Sequence, residues 1–167
     1  ASDLVSSLSQ IATPREYERI FHFKEFSLLG GDKAVKEPKR VGLSMLFECF
    51  EPDEILEMKS ALARSFSKDE IKTFHTMYKR GVNSPKSSSL GRVFDGVFAL
   101  SGHLEKLSYE GESGLIMESL CKFSSTQESY SCKIKDGVID WREMVFEILQ
   151  DEDASEISLK FINTVCE

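Results

Sequence analysis

No run of residues in this sequence approaches the roughly 18 consecutive apolar side chains that a membrane-spanning helix needs, so no membrane partner is expected. The first ten residues, Ala1 to Gln10, carry no basic cluster leading into an apolar stretch, and no secretory leader is expected in them. Basic excess is also missing: 21 Lys and Arg stand against 28 Asp and Glu, a net charge of −7. Phosphate contacts supply most of the affinity of nucleic-acid-binding domains, so a balance of this sign argues against a nucleic-acid partner. The one local basic run, Lys33, Lys36, Lys39 and Arg40, reads as the solvated face of a helix start. The four cysteines, Cys49, Cys121, Cys132 and Cys166, lie 72, 11 and 34 residues apart with no Cys-x-x-Cys pair, which excludes a zinc ribbon and a dithiol redox motif. They read as reduced thiols of a cytoplasmic protein, with Cys49 packed as a small hydrophobe among Met45, Leu46, Phe47 and Phe50. His22, His75 and His103 are out of helical reach of one another, so no metal site is expected. There is no internal repeat and no low-complexity tract.

What remains is a pattern of short amphipathic segments. Tyr17 to Leu29 reads as a strand with a one-residue phase shift between Phe21/Phe23 and Phe26/Leu28, and Gly30-Gly31 breaks it. Pro38 opens a helix that is apolar on most sides, from Val41 to Phe50. Pro52 opens a second, carrying Ile55, Leu56, Met58, Leu62 and Phe66. Ser67 and Glu70 form a capping-box pattern for a third, which runs to Arg80 and stops at Gly81. Residues 82–89 read as a polar loop and Ser88 to Ser101 as a helix. Another helix bears Leu115, Ile116, Leu120 and Cys121. Residues 130–140 alternate around Asp136-Gly137, a strong hairpin signal. A short helix follows Trp141, and a terminal helix ends near Val165. The fold class predicted is α+β, mostly helical with a small sheet.

Three glycine-containing segments can carry chemistry. The first, Gly30-Gly31-Asp32, precedes a helix and could bring backbone N–H groups to an anion; no Gly-Lys-Ser/Thr follows, so it is not a P-loop, and alone it reads as a strand-to-helix turn. In the second, Leu90, Val93, Phe94, Val97 and Phe98 form a core stripe at helical spacing. Arg92 and Asp95 project from the opposite face among Gly91, Gly96 and Ala99, small residues that leave room for a ligand or for another backbone. An acid and a guanidinium there suit ribose hydroxyls and a purine face, while a surface i,i+3 ion pair is the preferred reading when they are read alone. On either reading they are expected to be at least partly exposed, and exchange for Ala to cost within about 0.5 kcal/mol. The third segment, Ser108 to Gly114, reads as a helix-entry loop.

The order of these segments, LLGGDKAVKEPKRVGL, then NSPKSSSLGRVFDGVFALSG, then SYEGESG, resembles the C-terminal carbamoyl-transfer domain of the hydrogenase maturation carbamoyltransferases, the HypF family. Residues 160–164, KFINT, resemble that domain's later helix. The family's usual run has Ala at position 96 and Ala-Ala at 113–114, where this chain has Gly96, Ser113 and Gly114. The resemblance covers residues 17–167 and leaves 1–16 unassigned. It implies part of one lobe of an actin/hexokinase/Hsp70-like nucleotide-binding fold, with ATP or carbamoyl-adenylate bound in the full-length enzyme. It further implies transfer of a carbamoyl group to the C-terminal cysteine of a HypE-like acceptor during synthesis of the cyanide ligand of nickel–iron hydrogenase. Arg92 and Asp95 match the family's GRxFD positions and are expected on the nucleotide side, together with Asp32; no catalytic residue is assigned. The family's zinc fingers, adenylate-forming domain and His-rich metal motif are not matched, so the chain is expected to be inactive by itself. The alternatives are a non-catalytic helical interaction module and a relative of the tRNA threonylcarbamoyl transferases, which a net charge of −7 disfavours.

Overall fold

The structure, a computed structural model, describes residues 21–167 and the backbone of 11–13 and 16–18. The lead-in expected over residues 1–10 lies outside the described residues. Helices dominate: α1 (Asp32–Lys36), α2 (Pro38–Phe47), α3 (Pro52–Glu57), α4 (Ala61–Arg64), α5 (Lys68–Arg80), α6 (Leu90–Leu100), α7 (Glu112–Cys121), α8 (Arg142–Ile148) and α9 (Ala154–Cys166). None is long and apolar enough to cross a membrane among the described residues.

The strand expected from Tyr17 to Leu29 is three short strands in three sheets. β2 (Glu16–Glu18) pairs antiparallel with β1 (Ile11–Thr13). β3 (His22–Phe23) runs parallel to β7 (Val138–Asp140), and β4 (Phe26–Ser27) runs antiparallel to β5 (Lys86–Ser87). The phase shift after Phe23 marks where the chain changes partner: Lys24 N–H still donates to Ile139, and the Lys24 carbonyl accepts from the buried Trp141 indole at 2.7 Å. The hairpin of β6 (Lys133–Lys135) with β7 turns at Asp136 and Gly137, φ 51° and 77°, the double left-handed geometry that an Asp-Gly turn favours.

Capping chemistry sets several helix ends. Pro38 starts α2, and Ser67 and Glu70 cap α5 reciprocally. The single helix expected from Pro52 to Phe66 is broken into α3 and α4. Met58 is extended, and Ser60 accepts from Ala63 N–H as a new N-cap, so local capping interrupts the apolar period. The core lies where α2 crosses α6. Every residue from Val41 to Phe47 is buried, and in α6 only Leu90, Gly91 and Phe94 are not. A Cβ on Gly42 would come within 3.0 Å of the Ala99 Cβ, and one on Gly96 within 2.1 Å of the Met45 Sδ. Gly96 and Ala99 of α6 therefore lie against α2, Gly96 under the Met45 and Val41 side chains and Ala99 against Gly42. α9 packs across α7 and reaches α6 through Phe161, edge-on to Phe94 with ring centroids 4.8 Å apart.

The basic run near α1 divides. Lys33 and Lys36 are exposed, whereas Lys39 lies over the Phe66 ring and Arg40 over Phe74. Arg40 also holds the Glu37 carboxyl below its usual range, helped by Lys106, and Arg142 does the same for Asp140. Such carboxylates bind fewer protons folded than unfolded. Their stabilisation is complete above the ordinary carboxylate range and is lost as pH falls through it. The chain's stability to urea should therefore fall as pH drops from about 5 toward 2, and Asp140→Asn should flatten that slope; an unchanged slope would show that the pairing is screened by solvent.

Candidate functional site

The second and third glycine-containing segments meet. Asp95 and Arg92, one helical turn apart on α6, face Ser113 and Glu110 at the entry to α7, and both cross-segment pairs are 18 residues apart in sequence. Ser113 Oγ donates to Asp95 Oδ1 at 2.6 Å. Asp95 Oδ2 lies 3.0 Å from Arg92 Nη1, and Arg92 Nη2 donates to Glu110 Oε1 at 3.3 Å. Nη1 and Oδ2 are fully buried and make no aligned hydrogen bond, so their attraction is Coulombic. The entry loop is shaped for this. Gly111, φ 89°, turns the chain into α7, and the Glu112 carboxylate accepts from the Ser108 N–H at 2.5 Å.

The expectation of partial exposure is overturned. The Arg92 and Asp95 side chains are 6% and 1% exposed, whereas Glu110 is 83% exposed. Helical projection failed here because α6 is covered on two faces: the Val93, Val97 and Phe98 stripe packs in the core, and the loop and first turn of α7 cover the other side. Burial pushes the Asp95 carboxyl above its ordinary range; the Ser113 hydrogen bond and the Arg92 charge oppose that, and Glu110 adds to it. The folded state thus keeps the Asp95 proton to higher pH than the unfolded chain. This contribution is full below the ordinary carboxylate value and is lost as pH rises through the raised one.

The first segment joins by backbone. Leu28 N–H donates to the Pro85 carbonyl and Gly30 N–H to the Asn83 carbonyl, so the GGD turn sits against the start of the second segment. Gly30 and Gly31 have φ 91° and 58°, and a Cβ on Gly30 would meet Arg40 Nη1 at 2.9 Å. Asp32 is exposed on α1 and makes no hydrogen bond or ion pair among the described residues. The structure thus brings Arg92 and Asp95 together and leaves Asp32 apart from their network. Ser113 and Glu110 were missed as individual site residues; the signal was present in SYEGESG, but which of its side chains face α6 depends on the packing of α7.

Among the described residues no three His, Cys, Asp or Glu side chains cluster in a way that could hold a metal ion. Cys49, Cys121 and Cys132 are half-buried free thiols and Cys166 is exposed. Burial pushes Cys49 up to about 12 and Cys132 to about 11, far from a reactive thiolate.

Residues 10–167 match the family described as carbamoyltransferase, Kae1-like domain, second subdomain. The chain belongs to this family. Among its relatives, carbamoyltransferase HypF of Synechocystis is 28% identical over 172 residues, covering 92% of this chain and 22% of the relative. The probable carbamoyltransferase HypF of Methanocaldococcus jannaschii is 28% identical over 145 residues, 84% of this chain and 19% of the relative. A full-length HypF solved in a phosphate- and nucleotide-bound form superposes with a TM-score of 0.72 at 28% identity, covering 90% of this chain and 20% of that one. HypF of T. kodakarensis, 23% identical with a TM-score of 0.70 over 86% of this chain and 20% of that one, shares the fold. The expected fold class stands: α+β, mostly helical with small sheets, and part of the Kae1-like domain, an actin/Hsp70-like fold. The chain spans about a fifth of the length of the curated HypF relatives above.

Proposed function

We propose that this subdomain serves a cytoplasmic carbamoyltransferase that passes a carbamoyl group to the C-terminal cysteine of a HypE-like acceptor during synthesis of the hydrogenase cyanide ligand. The observation that carries the reading is the family match over residues 10–167, within which the three sequence segments converge on one another in the fold. Bound carbamoyl-adenylate supplies an activated carbonyl carbon: the acceptor sulfur bonds to it, the carbon–oxygen bond to the phosphate breaks, AMP leaves, and the thiol proton is released. The residues present suit the nucleotide end of that reaction. Arg92 and Asp95 hold the loop from Ser108 to Gly114 in place from within, and Asp32 offers an exposed carboxylate at the start of α1.

The test is transfer of radiolabelled carbamoyl phosphate carbon, with ATP, to an acceptor protein ending in cysteine. The full-length protein should label the acceptor. The 167-residue chain alone should give no label above the rate without protein, because one wall of a nucleotide site cannot exclude water or position an acceptor. Failure of the full-length protein to label any cysteine-ended acceptor would overturn the reading.

A further inference from the structure

We propose that the groove around Phe146 docks a segment of a partner protein in which a bulky apolar side chain is flanked by Lys or Arg. The groove measures about 540 Å³ and shares no residue with the network of Arg92, Asp95, Glu110 and Ser113, so it is independent of the nucleotide reading. Three stretches form it: Met58 to Ala61 leading into α4, Leu100 to Gly102 at the end of α6, and Phe146 to Glu152 leaving α8. Its apolar lining includes Phe50, Met58, Leu100, Phe146, Leu149 and Ile157. Core packing does not explain Phe146. It lies one turn after Arg142 and one turn before Gln150 on the exposed side of α8, where polar side chains are the rule. Its ring meets Phe50 edge-on at 4.9 Å, yet 45% of the residue stays exposed. Small residues leave the space beside it open: Ala61 and Gly102 are exposed, and a Cβ on Gly102 would meet nothing within 4 Å.

The electrostatics select a cation. The C-terminal ends of α6 and α8 both line the groove, and the carbonyls of Leu100, Ser101, Leu149 and Gln150 accept no hydrogen bond among the described residues. Helix C-termini carry partial negative charge. Glu152 is exposed and makes no ion pair among the described residues. Its neighbour Asp151 shares Lys160 with Glu128 and Glu156, one cation against three carboxylates. Lys59 is the lining's one positive charge. Acceptors thus outnumber donors, and an occupant must bring donors and positive charge. A second copy of this chain, at net −7, brings charge of the wrong sign. A half-open groove does not enclose a free small molecule, so the occupant is a side chain carried by a longer segment.

The test is fluorescence anisotropy of the full-length protein with a fluorescein-labelled peptide, GRRFLRRG, beside two controls, GEEFLEEG and GRRSSRRG. The first should bind, and each control should bind about 10-fold more weakly or worse, because one has the wrong charge and the other no anchor. Phe146→Ser should weaken GRRFLRRG about 10- to 30-fold, the range for loss of a central aromatic contact. Glu152→Lys, an exposed change that leaves folding intact, should weaken it about 3- to 10-fold and reduce its salt dependence. No binding by wild type, equal binding of either control, or wild-type affinity in both variants would overturn the proposal. Hydroxyl-radical footprinting of the full-length protein without peptide tests the other occupants. Met58 and Phe146 should be oxidised at every protein concentration. Their protection at all concentrations would mean that the rest of the longer chain fills the groove, and protection that grows with concentration would mean a second copy; either result overturns the proposal.

Discussion

Asp95→Ala is expected to cost the folded chain about 3–5 kcal/mol, measured by urea unfolding, because it strands a buried guanidinium. Arg92 is enclosed by α6 and the α7 entry loop, and its remaining acidic partner is the exposed Glu110 at 3.3 Å. The same change removes the acceptor of the buried Ser113 hydroxyl. For a surface i,i+3 pair the loss would be about 0.5 kcal/mol or less, so the two descriptions of this pair differ by several kcal/mol and one measurement separates them. Replacing both charges, Arg92→Met with Asp95→Leu, should cost much less than the sum of the single changes, since an apolar pair removes the desolvation penalty together with the attraction. A loss within 0.5 kcal/mol for Asp95→Ala would mean that water reaches the pair.

Gly96→Ala should destabilise by about 1–3 kcal/mol, against the usual direction for a helix interior. Intrinsic propensity alone favours Ala over Gly by about 1 kcal/mol. Packing reverses the sign: the new Cβ would sit 2.1 Å from the sulfur of Met45, a side chain with no exposure at all, with Val41 Cγ1 at 3.4 Å behind it. Met45 has nowhere to move without displacing the rest of the α2–α6 crossing. Gly96→Ala combined with Met45→Ala should cost less than the two single changes added together, because each relieves the other's misfit. A gain in melting temperature for Gly96→Ala alone would show that the crossing is loose enough to accept a methyl group.

Much of the backbone plan was legible in residue order. Pro38, the Ser67/Glu70 box, Gly81 and Asp136-Gly137 each act within a few residues, and each ends or turns the chain where its chemistry requires. The strand from Tyr17 to Leu29 was legible as extended chain but not as three pairings, because its partners lie near residues 12, 87 and 139. The break at Ser60 was hidden by an apolar period that continues straight through it.

The candidate site divides along the same line. Sequence by itself determined which segments matter: the GGD turn, the helix with Arg92 and Asp95, and the SYEGESG loop keep an order and spacing that name the family. It also determined that Arg92 and Asp95 share one side of a helix, since their separation of three residues is a property of the helix alone. Only tertiary structure decided whether that side meets water or protein. The loop and first turn of α7 cover it, which raises the Asp95 carboxyl, gives the ion pair its cost, and leaves Glu110 as the network's exposed end. The physical reason is that helical periodicity fixes an angle about one axis, whereas burial depends on every other element that packs around that axis.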